Sequence, residues 1–433
     1  MRKYINTVSA FQFYQLLRYS TLILIGIVFT KTALTQSAIG EYETFVFLAG
    51  AVSFFWLNGL LKALLPLSTG NDKSKTNIFS AFVVIQLISV FTAIFIFLLQ
   101  PYFTRFLLNG KEIPEITLLF VFIVFGVPGN LVEYYYLIKK QNLAIVVYGT
   151  VSFFIQFCLV VLPVVLGYGI QMALRGLVLS SVLRYLWLLI IFISKKEIHY
   201  SQKFVREHLK LGGPLVAASL LSGSAQFVDG FIVTSKFNDE TFAIFRYGAR
   251  EFPLALLLAN ALSNAVLPDF AKKDNLKQNL GNLKRSVSKL MHILFPVTAV
   301  LLIVSKPLFP VIFNPDFAES ATIFNIYLLL VISRLLMPQT ILNGLKISKP
   351  IMFASFFELI INVALSLILV RYYGIAGIAF ATFIAYLFEK IYLVTVVRHR
   401  LKISVSEYLP VRIYIIYSVG ISVIFIFAEL IFR

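Results

Sequence analysis

Apolar segments, each close to the ~20 residues that a helix needs to cross a bilayer, follow one another along almost the whole chain. Inside a membrane only helices and closed barrels satisfy their backbone hydrogen bonds. The strand-like alternation of a barrel is not seen, so the sequence predicts an all-α polytopic membrane protein. The thirteen predicted spans are 11–31, 42–66, 78–100, 116–138, 144–167, 170–193, 213–235, 242–266, 287–305, 320–342, 350–370, 374–397 and 411–432.

Composition agrees with this class. Of the 433 residues, 59% are hydrophobic and 13% are charged, whereas soluble proteins average about 25% charged residues. The net charge of +18 is spread over short loops, which is typical of membrane topology, so we expect no nucleic-acid partner. A single cysteine, Cys158, allows neither a disulfide framework nor a cysteine-based metal site.

The loops also predict the orientation. With the N-terminus in the cytoplasm, 22 lysines and arginines fall in inside loops and 7 in outside loops, as the positive-inside rule requires. Gln12, Gln15 and Arg18 interrupt the first segment, which we therefore interpret as a retained helix and not a cleaved signal peptide. The segment 411–432 is either a thirteenth span or a peripheral helix.

Short matches recur about 205 residues apart. Residues 26–31 resemble residues 230–236, and Tyr-Gly-Ile occurs at both 168–170 and 373–375. Each match places one span against the span six further on, which predicts two homologous six-helix lobes related by an axis along the membrane normal. The predicted units are an N-terminal lobe at 1–209, a C-terminal lobe at 210–397 and an additional C-terminal helix at 398–433.

Span seven carries Ser219, Ser222, Gln226 and Asp229 at spacings of three and four, which places them on one face of a helix. Serine and glutamine suit an ordinary helix interface. An aspartate suits it less well, because ionisable groups in a bilayer are costly. We expect this face to line a cavity, with Asp229 as a counter-ion to an arginine or a site for H⁺ or Na⁺.

Span eight contains Arg246 and Arg250 one helical turn apart, followed by Glu251, Asn260 and Asn264. Arginine cannot lose its proton and costs ~2.5–3.5 kcal/mol at the bilayer centre on insertion scales. The two arginines therefore either reach an interface or face a cavity that an anion enters.

Further polar residues in the spans have two interpretations each. Arg18 and Lys62 are interfacial anchors or cavity cations, and Arg334 and Glu358 face the cavity or pair with each other. Glu133 lies among tyrosines, where an aromatic belt is the usual interpretation. Pairs or anchors within a lobe are expected for Arg175, Arg184, Glu389 and Lys390.

Two segments resemble a known family. Residues 209–237, with Gly212, Pro214 and Asp229, are similar to span seven of polysaccharide exporters in the multidrug/oligosaccharidyl-lipid/polysaccharide exporter superfamily. Residues 37–55 resemble the start of span two in that family more loosely, since they lack its usual leucine-glycine start. The resemblance covers spans one to twelve.

The resemblance implies a Wzx-type flippase of about 12–14 helices, with two lobes in an inverted V and a pseudo-two-fold relation. Such proteins move undecaprenyl-diphosphate-linked oligosaccharides across the bacterial inner membrane for O-antigen or capsule assembly. The expected partners are membrane lipids and the polymerase and glycosyltransferases of the same assembly pathway. It implies no enzyme activity and no cofactor beyond a coupling H⁺ or Na⁺. The resemblance favours Arg18, Lys62, Arg246 and Arg250 as substrate-binding residues. From the polar residues inside the spans we add Asn260 and Asn264 to this set, and we predict as coupling or cavity residues Ser222, Gln226, Asp229, Glu251, Arg334 and Glu358.

Two other functions stay open. A drug/cation antiporter of the same superfamily would need an acidic lumen for its cationic substrates, and the lumen predicted here is basic. A membrane-embedded glycan polymerase or glycosyltransferase would need a large external loop or an acidic motif near an interface, and the sequence contains neither.

Overall fold

The computed structural model describes residues 7–68, 77–108, 110–250, 253–271 and 275–431. These residues form helices and connecting loops without a strand, which confirms the predicted all-α class. The α-helices are α1 Thr7–Thr30, α2 Gln36–Ser68, α3 Ile78–Tyr102, α4 Ile116–Val121, α5 Leu131–Ile138, α6 Asn142–Val165, α7 Gly169–Ser194, α8 Gln202–Gly223, α9 Ala225–Lys236, α10 Asp239–Gly248, α11 Pro253–Ala271, α12 Leu276–Ile312, α13 Ala318–Leu328, α14 Leu330–Arg334, α15 Pro338–Gly344, α16 Lys349–Arg400, α17 Val405–Tyr408 and α18 Val411–Ile431.

Ten of the helical stretches within these described ranges are long and apolar enough to cross a membrane. They account for most of the thirteen predicted spans. The difference arises because α16 contains both predicted spans eleven and twelve, and because spans seven and eight are each divided between two shorter helices. The protein is therefore a multi-pass membrane protein in which several spans are broken.

The breaks follow local chemistry. Proline lacks a backbone N–H and disturbs the preceding helical turn, and a π-helix at Phe122–Gly126 followed by a 3-10 turn at Pro128–Asn130 occupies the middle of span four. In span ten, α14 ends at Arg334 and α15 begins at Pro338. Neighbouring groups must satisfy the backbone atoms that such breaks release, so broken spans favour packed or water-lined positions over lipid.

The predicted internal repeat has a counterpart in the backbone. Gly169 opens α7 with a φ of +77°, and Gly374 divides α16 with a φ of +56°. Both glycines belong to the Tyr-Gly-Ile matches, and both adopt the left-handed region that only glycine enters readily. The same sharp turn thus separates spans five and six and spans eleven and twelve.

The described residues divide into two compact units. Unit 1 comprises residues 1–223 and 234–243, and unit 2 comprises residues 224–233 and 244–433. These units are defined by contacts, so the repeat boundary placed at residue 210 stays a prediction.

Unit 1 is organised around α2. Its helix α8 lies along α2, with the His208 Nε2 atom 2.9 Å from the Leu60 carbonyl oxygen and Gly59 directly against Val216. A side chain at position 59 would overlap the backbone of Val216, so glycine permits this close approach. The first half of predicted span seven therefore packs within unit 1.

Unit 2 includes the C-terminal helix α18, which packs along α12. The Tyr417 hydroxyl lies 2.8 Å from the His292 Nδ1 atom. Nearer the chain end, the Lys306 ammonium forms an ion pair with Glu429 at 2.9 Å. Helix α18 is itself long and apolar enough to span a membrane, which favours its interpretation as a span.

Candidate functional site

Asp229 lies in α9 and is 2% exposed. Its Oδ2 atom accepts hydrogen bonds from the Tyr327 hydroxyl at 2.7 Å and from the Thr382 hydroxyl at 2.5 Å. The Asp229 carboxylate is thus buried, and hydroxyl groups of α13 and α16 hold it; that its face lines a cavity stays a prediction.

The hydrogen bonds continue away from Asp229. The Asn362 side-chain amide donates to the Thr382 hydroxyl oxygen at 3.2 Å, and the Ser366 hydroxyl donates to the Asn362 carbonyl oxygen at 3.1 Å. Asn362, Ser366 and Thr382 are all buried. We call these four residues, together with Tyr327, the Asp229 network.

The network carries negative charge without a matching cation of its own. The Asp229 Oδ1 atom is buried and has no hydrogen-bond partner, and the same is true of Oε1 of Glu358, one turn before Asn362. Glu358 is 3% exposed and interacts electrostatically with Asp229, Glu389 and Lys390. Lys390 already forms an ion pair with Glu389 at 2.7 Å.

A buried carboxylate with an unused oxygen is a suitable place for a proton or a monovalent cation, because burying an uncompensated charge costs several kcal/mol. Within the described part of the chain, no group of three or more histidine, cysteine, aspartate or glutamate side chains is arranged to hold a metal ion. Neutral oxygens from Thr382 and Asn362 would complete the surroundings of a weakly held cation beside Asp229.

The pair Arg246 and Arg250 departs from the sequence expectation. Helix α10 ends at Gly248 and α11 begins at Pro253, so Arg250 lies in the break after α10 and not one helical turn beyond Arg246. The Arg250 guanidinium lies 4.5 Å from the centre of the Tyr247 ring. Both arginines are half-buried. The prediction of a shared helical face was wrong because the Gly248 and Pro253 boundaries interrupt the span.

Unit 1 holds a second buried carboxylate. Glu133 in α5 is 3% exposed and interacts electrostatically with Arg18 of α1 and Arg184 of α7. The Tyr14 hydroxyl is within hydrogen-bonding range of Glu133, and the Tyr14 ring stacks on that of Tyr148 at 6.0 Å. We call these five residues the Glu133 cluster. Arg18 itself is exposed.

Arg184 is held within unit 1 on two sides. One guanidinium nitrogen donates to the Gln156 side-chain oxygen, and the guanidinium carbon lies 4.8 Å from the centre of the Phe153 ring. The expectation of lobe-internal pairs is confirmed for Arg184, and also for Glu389 and Lys390 in unit 2.

The other predicted site residues are scattered or lie outside the described residues. Lys62 on α2 and Asn260 on α11 are exposed, and the Arg334 guanidinium lies 5.9 Å from the centre of the Tyr386 ring. Glu251 and the side chains of Ser222, Gln226 and Asn264 are outside the described part of the chain. The face predicted on span seven is also interrupted, because α8 ends at Gly223 and α9 begins at Ala225.

Comparison with known proteins identifies the family. Residues 19–322, well over half of the chain, match the family described as polysaccharide biosynthesis protein. The chain belongs to this family. The resemblance to Wzx-type flippases inferred from the sequence is thereby confirmed at the level of the family.

Solved structures extend the similarity over nearly the whole length of this polysaccharide biosynthesis protein. It resembles the lipid II flippase MurJ in an inward closed conformation, with 19% identity over 97% of each chain and a TM-score of 0.66. An inward-facing multidrug resistance MATE transporter of the MOP superfamily has 15% identity over 88% of this chain and 94% of its own, with a TM-score of 0.65. A MOP superfamily transporter from Pyrococcus furiosus has 14% identity over 92% and 96%, with a TM-score of 0.56.

At these identities the similarity concerns the fold, which is a MurJ/MATE-like transporter fold. No curated protein matches the sequence significantly. These solved structures are described as a lipid II flippase and as transporters.

Proposed function

We propose that the protein is a flippase that moves an undecaprenyl-diphosphate-linked oligosaccharide from the inner to the outer leaflet by alternating access of its two lobes. The observation that carries the proposal is the match of residues 19–322 to the polysaccharide biosynthesis family. The fold shared with a lipid II flippase supports it, because lipid II flipping also moves a lipid-linked sugar headgroup. We expect the protein in the bacterial inner membrane, with polymerase and glycosyltransferase partners.

The physical task fits the polar residues. A sugar hydroxyl removed from water without a new hydrogen bond costs about 2–7 kcal/mol, so the headgroup needs a polar path while its lipid tail stays in the bilayer. Fixed cations suit the diphosphate. Arg18 and Lys62 in unit 1, both exposed, and Arg246 and Arg250 in unit 2 are the candidates.

The Asp229 network is proposed as the coupling site. The unpartnered Oδ1 atom of Asp229 would bind H⁺ or Na⁺, and Thr382 and Tyr327 would keep the carboxylate in place. Loading or unloading this site changes the charge at the junction of α9, α13 and α16. Such a change in charge is what a two-state transporter needs to favour one conformation over the other.

A drug/cation antiporter is the second candidate, favoured by the structural similarity to MATE transporters. It would place acidic groups where a cationic drug binds, whereas the exposed candidate residues Arg18 and Lys62 are basic.

Complementation tests the proposal. In a strain lacking its oligosaccharide flippase, the wild-type chain should restore surface glycan, while Arg250→Ala should abolish it at unchanged protein level. Arg175→Ala is the matched control, since Arg175 is exposed and its side chain contacts the neighbouring Met172 sulfur. If Arg250→Ala instead kept normal surface glycan and lost drug resistance, the result would favour the antiporter.

A further inference from the structure

A cavity of about 260 Å³ lies within unit 1, at the end of the helices that the charge bias of the loops places outside. Its walls include Glu41 and Thr44 from α2, Lys111, Glu112 and Glu115 from the loop after α3, and Asp239 at the start of α10. We call it the outer pocket. Its volume is just below the ~300–1,000 Å³ of typical small-molecule sites, so it would hold a small ligand or one group of a larger molecule.

The outer pocket is acidic. Four carboxylates line it against one ammonium, that of Lys111, which forms an ion pair with Asp239 at 3.1 Å. Glu41 lies close enough to Asp239 and Glu115 to experience both as repulsive charges. In the described part of the chain, Glu41, Glu112 and Glu115 have no cationic partner. The pocket therefore has an excess of negative charge that a cationic ligand would relieve.

A second observation is independent of the charges. Thr44 is 2% exposed and lines the outer pocket, and its hydroxyl oxygen has no hydrogen-bond partner. Buried polar groups are nearly always satisfied, so an unsatisfied hydroxyl in a cavity wall indicates a missing partner. A ligand that carries N–H donors would supply one.

The geometry selects among cations. Three carboxylates close together would suit a divalent metal, but no such group of metal-ligating side chains occurs among the described residues. The carboxylates surround a cavity of molecular size instead. A primary ammonium on a short carbon chain fits both features, because its three donors can reach carboxylates and a hydroxyl at once.

We propose that the outer pocket binds a primary alkylammonium group, held by Glu41, Glu115 and Thr44. Lys111 occupies part of the pocket and competes with the ligand for Asp239. The ligand bridges α2 and the loop after α3 to the segment 234–243. That segment is already bound to unit 1 through the Thr234 hydroxyl, which donates to the Leu107 carbonyl at 3.0 Å. Binding therefore stabilises this arrangement.

Calorimetric titration of the full chain in phosphatidylglycerol nanodiscs with cadaverine, at constant ionic strength, tests the proposal. Wild type should bind saturably with one site. Glu41→Gln and Glu115→Gln should each weaken binding about tenfold, since each replaces a charge-assisted hydrogen bond to the ammonium by a weaker neutral one. Thr44→Val should weaken it several-fold and Thr44→Ser should restore it. The matched control is Glu240→Gln, because Glu240 is exposed beside Asp239 and does not line the pocket.

Lys111→Gln provides a result that would not be expected if the carboxylates of the outer pocket were purely structural. Removal of the competing ammonium should strengthen cadaverine binding. Nanodiscs that contain phosphatidylethanolamine distinguish the two sources of the ammonium: weaker apparent binding of cadaverine there indicates a lipid headgroup, and unchanged binding indicates a free amine. Equal isotherms for wild type, Glu41→Gln and Glu115→Gln would overturn the proposal, as would saturable Ca²⁺ binding that cadaverine does not displace.

Discussion

Each of the two units contains a buried polar centre built on a carboxylate, Glu133 in unit 1 and Asp229 in unit 2, and the surroundings of these two carboxylates differ in charge. In unit 1, Glu133 is influenced by two arginines, Arg18 and Arg184. In unit 2, Asp229 is held by the neutral hydroxyls of Tyr327 and Thr382. Both carboxylates are almost inaccessible, at 3% and 2% exposure.

The difference separates a fixed centre from a loadable one. The charges of Arg18 and Arg184 act on Glu133, and both arginines belong to the chain, so the Glu133 cluster gains less from a mobile ion. Neutral donors hold the Asp229 carboxylate in place without cancelling its charge. Each carboxylate keeps one buried oxygen without a hydrogen-bond partner, Oδ1 of Asp229 and Oε2 of Glu133, so the two centres differ in their charges and not in this respect. A site of this second kind gains most from binding H⁺ or Na⁺, which is why we assign coupling to unit 2.

The largest effect is expected for Asp229→Asn. The amide oxygen can still accept from Thr382 and Tyr327, but the charge that attracts a cation is removed. Flipping driven by an imposed H⁺ or Na⁺ gradient should fall to background in proteoliposomes. The free energy of unfolding should stay equal or rise, because an uncompensated buried charge disappears. Gradient-driven flipping at the wild-type rate would refute the assignment of coupling to Asp229.

Glu133→Gln should have the opposite profile. The change leaves Arg18 and Arg184 without their shared counter-charge, so the free energy of unfolding should fall by about 1–3 kcal/mol. Flipping should keep its dependence on the ion gradient, even if the rate drops. Denaturant titration and the proteoliposome assay measure the two quantities separately. Loss of gradient dependence in Glu133→Gln would contradict the division between the two centres.

Sequence reasoning found the charged members of these centres better than the neutral ones. Asp229 stood out because an acid inside a span is costly. Asn362 and Thr382 did not, since neutral polar residues are ordinary at helix interfaces. The bond between Asp229 and Thr382 joins residues 153 positions apart, and no local pattern indicates such a contact.

Glu133 and Arg250 show two further reasons why predictions from the sequence failed. Glu133 was interpreted as part of an aromatic belt because three tyrosines follow it, yet Tyr14, which reaches it, comes from α1. The sequence predicts a continuous helix around Arg250 because most of its segment is apolar. The helical segments were predictable from the length of the apolar runs. The positions of the breaks were not, because prolines also occur inside an unbroken helix such as α12.

The effect of a substitution on the affinity for the coupling ion should decrease with its distance from Asp229 along the network. Thr382→Val keeps the side-chain shape and removes the donor 2.5 Å from Oδ2. A hydrogen bond to a charged group contributes about 1.5–3 kcal/mol, so the affinity for the coupling ion should change roughly tenfold or more. Ser366→Ala, two hydrogen bonds further away, is the matched control and should change it less than about threefold. The dependence of flipping on ion concentration measures the affinity of both variants. Equal effects of Thr382→Val and Ser366→Ala would contradict the expected decrease with distance from Asp229.

The smallest expected effect concerns pH and lies outside both centres. His208, ahead of the apolar part of span seven, is fully buried, and burial lowers its pKa below 6.5 while its hydrogen bond to the Leu60 carbonyl opposes that shift. The unfolded chain then binds more protons than the folded one below that pH, so stability is complete above ~6.5 and is lost as pH falls toward the lowered pKa. Between neutral and mildly acidic pH, the free energy of unfolding should decrease more in the wild type than in His208→Gln. The difference between the two decreases should be about 1 kcal/mol or less. Because glutamine keeps a donor for Leu60 and cannot titrate, parallel pH profiles of the two proteins would show that His208 does not cause the loss. Any pH dependence of coupling that persists in His208→Gln then has a source other than His208.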